Sequence, residues 1–303
     1  MTASEQHVPF RWDLITPDQL GSLLHGTTEP DLWFLPHLVA CTGKVLARSG
    51  NGDLVFVGRS LDSMVDLLGG ALADCRDGPQ LHRLPLSFAR SPIAEGRRWR
   101  RRPLTMRELA QARRILAGVG VTPYRLARRE RPVTFVDVVH AGSTFTDLFH
   151  LLSDWIDEER ETWPVIRRKI RFVGVTIRRK TSPNTARWQQ EADWTRRLPA
   201  RAVVNVSMPY GVWSYLGDHQ VKLTRTFRPE HWSAEAPGPE RDERTRQALA
   251  EAAALVAYGR SGWGRRAVAR AVGREPALAE AWLRSLVTEL SAPEGPRKRA
   301  AAG

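Results

Sequence analysis

Within eight residues the chain places a carboxylate (Asp137), an imidazole (His140) and the small-residue run Ala141-Gly142-Ser143-Thr144. A small-residue turn ahead of a helix lets backbone amides meet an anion, because the first amides of a helix have no partner inside it. The hydroxyls of Ser143 and Thr144 can donate to phosphate oxygens or cap the helix. Asp137 suits diol hydroxyls or a hydrated magnesium ion beside that phosphate. His140 titrates near neutral pH and could serve as a base or a phosphate donor. The chemistry this set supports is the holding of a phosphate monoester. The structural alternative is a plain strand-to-helix turn with an ordinary cap, which any α/β chain needs.

Two further groups could complete such a site. Gly58-Arg59-Ser60 ends an apolar run, and the Arg59 guanidinium could pair bidentately with the oxygens of an anion. Trp213 and Tyr215, in Met208-Pro-Tyr-Gly-Val-Trp-Ser-Tyr-Leu-Gly217, could stack on a flat acceptor, with Asp218 or Asn205 reading its polar edge; aromatic clusters also serve simply as core. Arg97-Arg-Trp-Arg-Arg-Arg102 is too charged for a core. It reads as a mobile loop, a lid over a leaving group, or a contact for single-stranded nucleic acid through Trp99.

The elements that must carry these groups alternate between short β-prone runs and helical spacing. Strands are expected at Asp53 to Val57, Leu84 to Phe88, Val133 to Val139, Ile170 to Ile177 and Ala202 to Ser207. Helices are expected from Leu32 to Ala47, from Leu61 to Ala73, from the capping box Thr105-Met-Arg-Glu108 to Gly118, after Thr122-Pro123, and from Phe145 to Glu159. Thr16-Pro17-Asp18 is a further helix start. Strands separated by helices favour a parallel sheet, and ligands gather beyond its carboxyl ends. Asp137 and Gly58 fall at two such ends. The division expected is residues 1–52 as an N-terminal helical segment, 53–235 as an α/β core, and 236–303 as two or three helices with a disordered tail from Pro296. Arg265 to Gly273 followed by Leu278 to Leu290 is compatible with a helix-turn-helix, and more simply with a helical hairpin.

The loop sequence resembles the signature of the type I phosphoribosyltransferase family. In that signature four apolar residues, two acids and a Thr-Gly-x-Thr loop precede a helix. Here Val133-Thr134-Phe135-Val136 matches the strand, Asp137 the first acid and Gly142-Ser143-Thr144 the loop; Val138 replaces the second acid, and the loop is one residue shorter. Leu54-Val-Phe-Val57 with Gly58-Arg59-Ser60, about 80 residues earlier, matches the family's pyrophosphate loop. The resemblance covers about Asp53 to Ser207. It implies a three-layer parallel α/β sheet of that type, and phosphoribosyl pyrophosphate or a related phosphorylated sugar as ligand. It further implies magnesium as cofactor and transfer of the sugar to an acceptor under a hood after the fifth strand. The alternative is a non-catalytic sensor of the same ligand, or a nucleic-acid-binding regulator, which the loss of one acid at Val138 favours.

Bulk properties bound these readings. In 303 residues, 42% are hydrophobic and 26% charged, as in ordinary globular proteins. The net charge of +13 would attract any polyanion, although an arginine-rich composition can arise without function. Cys41 and Cys75 lack ligand or redox spacing and read as reduced structural thiols. Neither a leader pattern nor a long apolar run occurs, so a cytoplasmic protein without a membrane partner is expected, with a homodimer compatible. HExxH, GxxxxGK[ST], GxGxxG and GxSxG are all missing, which counts against zinc peptidase, nucleotide triphosphatase, dinucleotide and serine-hydrolase chemistry.

Overall fold

A computed structural model describes residues 8–15, 20–95, 98–234, 238 and 240–293. The helix start at Thr16-Pro17-Asp18 and the tail from Pro296 lie outside the described residues. Five parallel strands form the central sheet: β1 (Asp53–Val57), β2 (Leu81–Leu84), β5 (Val133–Val138), β6 (Ile170–Ile177) and β7 (Val203–Met208), in the order β2-β1-β5-β6-β7. A separate antiparallel hairpin, β3 (Pro92–Glu95) with β4 (Arg98–Arg101), sits in the connection from β2 to β5.

Every residue of β1 is buried, because both faces of the sheet are covered. Leu54 and Phe56 face one layer, with α1 (Leu35–Arg48) and α2 (Asp62–Ala71). Val55 and Val57 face the other, with α3 (Met106–Gly118), α4 (Pro123–Arg128), α5 (Ser143–Glu158) and α6 (Trp163–Ile166). The Thr105–Glu108 capping box forms as the sequence predicts, each side chain satisfying the other's backbone amide.

The C-terminal part belongs to the same core. After the short helix α7 (Tyr210–Ser214) come α8 (Glu243–Arg260), α9 (Gly262–Val272) and α10 (Ala281–Ser291). Leu255, Val268, Leu283 and Leu286 share one apolar cluster with Val136 and Val173 of the sheet. Two glycines let α2 and α8 touch backbone to backbone. A Cβ on Gly70 would lie 2.1 Å from the Val256 oxygen, and one on Gly259 would lie 2.2 Å from the Leu67 oxygen. The Arg265 guanidinium is buried and donates to the Ala292 carbonyl at 3.1 Å. This is helical-hairpin packing of the kind the sequence also allowed.

Three elements differ from the sequence reading. The second strand lies earlier, at Leu81–Leu84. Pro85, which has no amide hydrogen, follows it, and Leu86 makes only an isolated bridge to Phe227. From Arg98 onward the basic run is not a bare loop; Arg97 lies outside the described residues. Arg98–Arg101 is the strand β4, and Arg102 donates to Glu108 from Nη1 and Nη2, at 2.7 Å and 2.5 Å. The helix expected at Phe145 begins two residues earlier, at Ser143. Among the described residues no helix is long and apolar enough to cross a membrane.

Candidate functional site

The chain runs from β1 to β2 on one side and then to β5 on the other, so the connections diverge above the tips of β1 and β5. Sheets of this kind hold ligands in that crevice. The turn from β5 into α5 stands there. Gly142 takes φ +76°, which a side chain would strain, and immediately precedes the helix. No side chain caps this 16-residue helix, and no acid stands in its first turn. Thr146 N is the first amide to bond back, to Gly142 O at 3.0 Å, which leaves those of Ser143, Thr144 and Phe145 without a partner inside the helix.

Two guanidiniums meet at Asp147 near the start of α5, and one of them also reaches the turn. Arg101, from β4, donates to the Ser143 hydroxyl at 3.0 Å and to Asp147 at 3.2 Å. Arg90 donates to the other Asp147 oxygen at 2.9 Å; its side chain is only 7% exposed, and its Nε and Nη1 find no acceptor among the described residues. Buried donors without acceptors are uncommon. The sequence pointed to the basic run as a whole; that Arg101 meets Ser143 depends on a hairpin that folds back 42 residues ahead of it.

The glycine serves another purpose than the one its position suggests. A Cβ on Gly142 would lie 2.0 Å from the Trp188 ring, so the close approach it permits is made by that indole and not left open to a ligand. Trp188 is itself fixed by its Nε1 donating to Asn205 at 2.8 Å, and Asn205 in turn donates to Ala186 O and Gln189. Asn205 is thereby a strut of the β6–β7 connection. His140 and Ala141 remain exposed on the cleft side of the turn.

Asp137 is buried on the face shared with Phe135. Its carboxyl accepts from Val138 N at 2.7 Å and is bonded by the Thr144 side chain. Burial pushes its pKa up to about 8, and those hydrogen bonds only partly offset it. Among the described residues no three His, Cys, Asp or Glu converge as metal ligands. A lone carboxyl held largely protonated does not by itself build a magnesium site.

Around Gly58, which has φ +70°, the neighbours are already engaged. Arg59 donates to the Thr224 carbonyl, and its burial lowers its pKa. Ser60 O accepts from Lys222 Nζ at 3.1 Å. Burial also brings the Lys222 ammonium down to about 8. The sequence gives no sign of Lys222, because the segment 220–224 reaches this turn only through tertiary folding. The expected stacking pair is part of the core: Trp213 is 9% exposed and donates to Val175 O at 3.0 Å. Tyr215 donates to Glu251 at 2.8 Å and packs on Trp33 and Phe34. Their apolar rings are drawn inward because they seal α7 against β6 and α1.

No protein-family model, curated protein or solved structure matches this chain. Its site therefore rests on its own geometry. Beyond His140 and Ala141 opens a cleft of about 550 Å³, walled by the tips of β5 and β6 and by the connection to β7, including Arg179, Arg187 and Glu191.

Proposed function

We propose that the chain binds a phosphorylated sugar of the phosphoribosyl pyrophosphate type at the entrance of α5, and transfers its phosphoribosyl group to an acceptor in the adjoining cleft. The observation that carries this reading is the meeting of Arg101 with Ser143 at the uncapped first turn, beside the unsatisfied Arg90. A phosphate monoester there would accept from bare amides, a hydroxyl and charged donors together. The three-layer parallel sheet and the loop resemblance agree with a type I phosphoribosyltransferase core. Magnesium enters only as counter-ion of the polyphosphate.

Titration calorimetry with phosphoribosyl pyrophosphate and magnesium tests the pocket. Ser143→Ala and Arg101→Gln are each expected to weaken binding about tenfold or more, since a hydrogen bond to a charged group contributes about 1.5 kcal/mol or more. Unchanged affinity in both variants would refute the site. Pyrophosphate release in the presence of candidate acceptors tests turnover. A second reading, a ligand sensor without turnover, is favoured by the buried Asp137 and by Val138, which packs against the core and supplies no second acid. Binding without release supports it.

A further inference from the structure

The cleft beside the α5 entrance has a lopsided lining. Arg179 and Arg187 are exposed on it, and among the described residues neither guanidinium has an ion pair or hydrogen bond. By contrast, Arg90 and Arg101 are paired with Asp147, and Arg102 with Glu108. Hydroxyls of Thr181, Ser182 and Thr185 add donors, and Glu191 is the one carboxylate among the lining residues. Trp188 is only 5% exposed, and Trp213 and Tyr215 are not among the lining residues, so these rings offer little stacking surface for a neutral base.

We infer that this cleft is a binding site for a small carboxylate-bearing molecule, its carboxylate paired with Arg187 and Arg179. Guanidinium presents paired N–H donors in a plane that matches a carboxylate, and an unpaired arginine has no internal acceptor to give up on binding. The volume, about 550 Å³, is that of a site for a ring-sized molecule rather than for a bare inorganic anion. His140 stands at the same wall, within the turn that leads to the phosphate subsite. The inference deepens the reading above by naming the class of the second ligand, and in that respect rests on it.

The test is calorimetric titration of the full chain at low salt with phthalate, benzoate and, as the uncharged control, phthalamide. The carboxylates are expected to bind and the diamide not to. Arg179→Gln and Arg187→Gln should each weaken phthalate about tenfold, the loss of one charge-assisted pair. Both leave phosphoribosyl pyrophosphate affinity within about twofold, as the two subsites are separate, and both residues are exposed, so thermal melts should match the parent protein. Phthalate binding that equals phthalamide binding, or that survives both substitutions, overturns the inference. So does a single-stranded oligonucleotide that binds through these two arginines while the carboxylates do not. Carboxylate binding without phosphoribosyl pyrophosphate binding keeps this site and removes the transferase reading instead.

Discussion

Replacing Asp137 by asparagine isolates the effect of burying one carboxyl beneath the turn from β5 into α5. The group is ordinarily ionised above about pH 4. In the folded protein it keeps its proton up to about 8, burial being the dominant cause. Between these values the folded state holds a proton that the unfolded chain has released, so stability falls as pH rises through the window. At about 1.4 kcal/mol per unit, the rise from about pH 5 to about pH 8 would cost on the order of 4 kcal/mol, and relaxation around an ionised group reduces this. We expect at least about 2 kcal/mol of pH-dependent loss in the parent protein that Asp137→Asn lacks. Asparagine keeps an acceptor for Val138 N and a partner for Thr144, so other contacts are preserved. Urea denaturation of both proteins across this range measures the difference, and contributions from histidines cancel in it. Parallel stability curves would refute the account of a neutral buried acid. The same titration bears on the ligand: if sugar hydroxyls or a cation use the ionised carboxylate, affinity drops about tenfold per unit below about pH 8. Affinity that ignores pH places the sugar away from Asp137.

Two packing predictions follow from the glycines. Gly142→Ala places a side chain at φ +76° and within 2.0 Å of the Trp188 ring, so it should cost roughly 3 kcal/mol, strain and overpacking together. Trp188→Ala in the same background should show a coupling of about 1 kcal/mol or more, and strict additivity would disprove the contact. Gly259→Ala should cost about 2 kcal/mol, because the new methyl meets backbone atoms of α2 that cannot rotate away. A melting temperature equal to the parent's would show that α8 does not lie on α2 as described.

The strands were legible wherever both faces are buried. β1, β5 and β6 are short, mainly apolar and β-branched runs, the pattern of strands covered on two sides. β2 escaped because its residues, Leu-His-Arg-Leu, are half polar at an edge of the sheet, where the pattern loses its meaning. The hairpin escaped because charge argued against a core and says nothing about a strand outside one. At the candidate site, the turn into α5 and its hydroxyls were visible in a single stretch. Arg90, Trp188 and Lys222 were not, since each reaches the site across dozens of residues through packing that leaves no local pattern.

The Trp188 contact gives the two proposed subsites a common wall. One edge of the indole lies on Gly142, at the start of α5, and its ring also borders the cleft that holds Arg187. Its Nε1 is pinned to Asn205 on β7, so the ring cannot tilt without breaking that bond. A ligand that ordered the β6–β7 connection would thus press on the turn that presents the amides of Ser143 and Thr144. Coupling of this kind is reciprocal: whatever factor the phosphorylated sugar applies to carboxylate affinity, the carboxylate must apply to the sugar. Asn205→Ala, which frees the indole, should reduce that factor while leaving each ligand able to bind alone. Equal coupling in the variant and the parent protein would mean that the two subsites communicate by another route, or act independently.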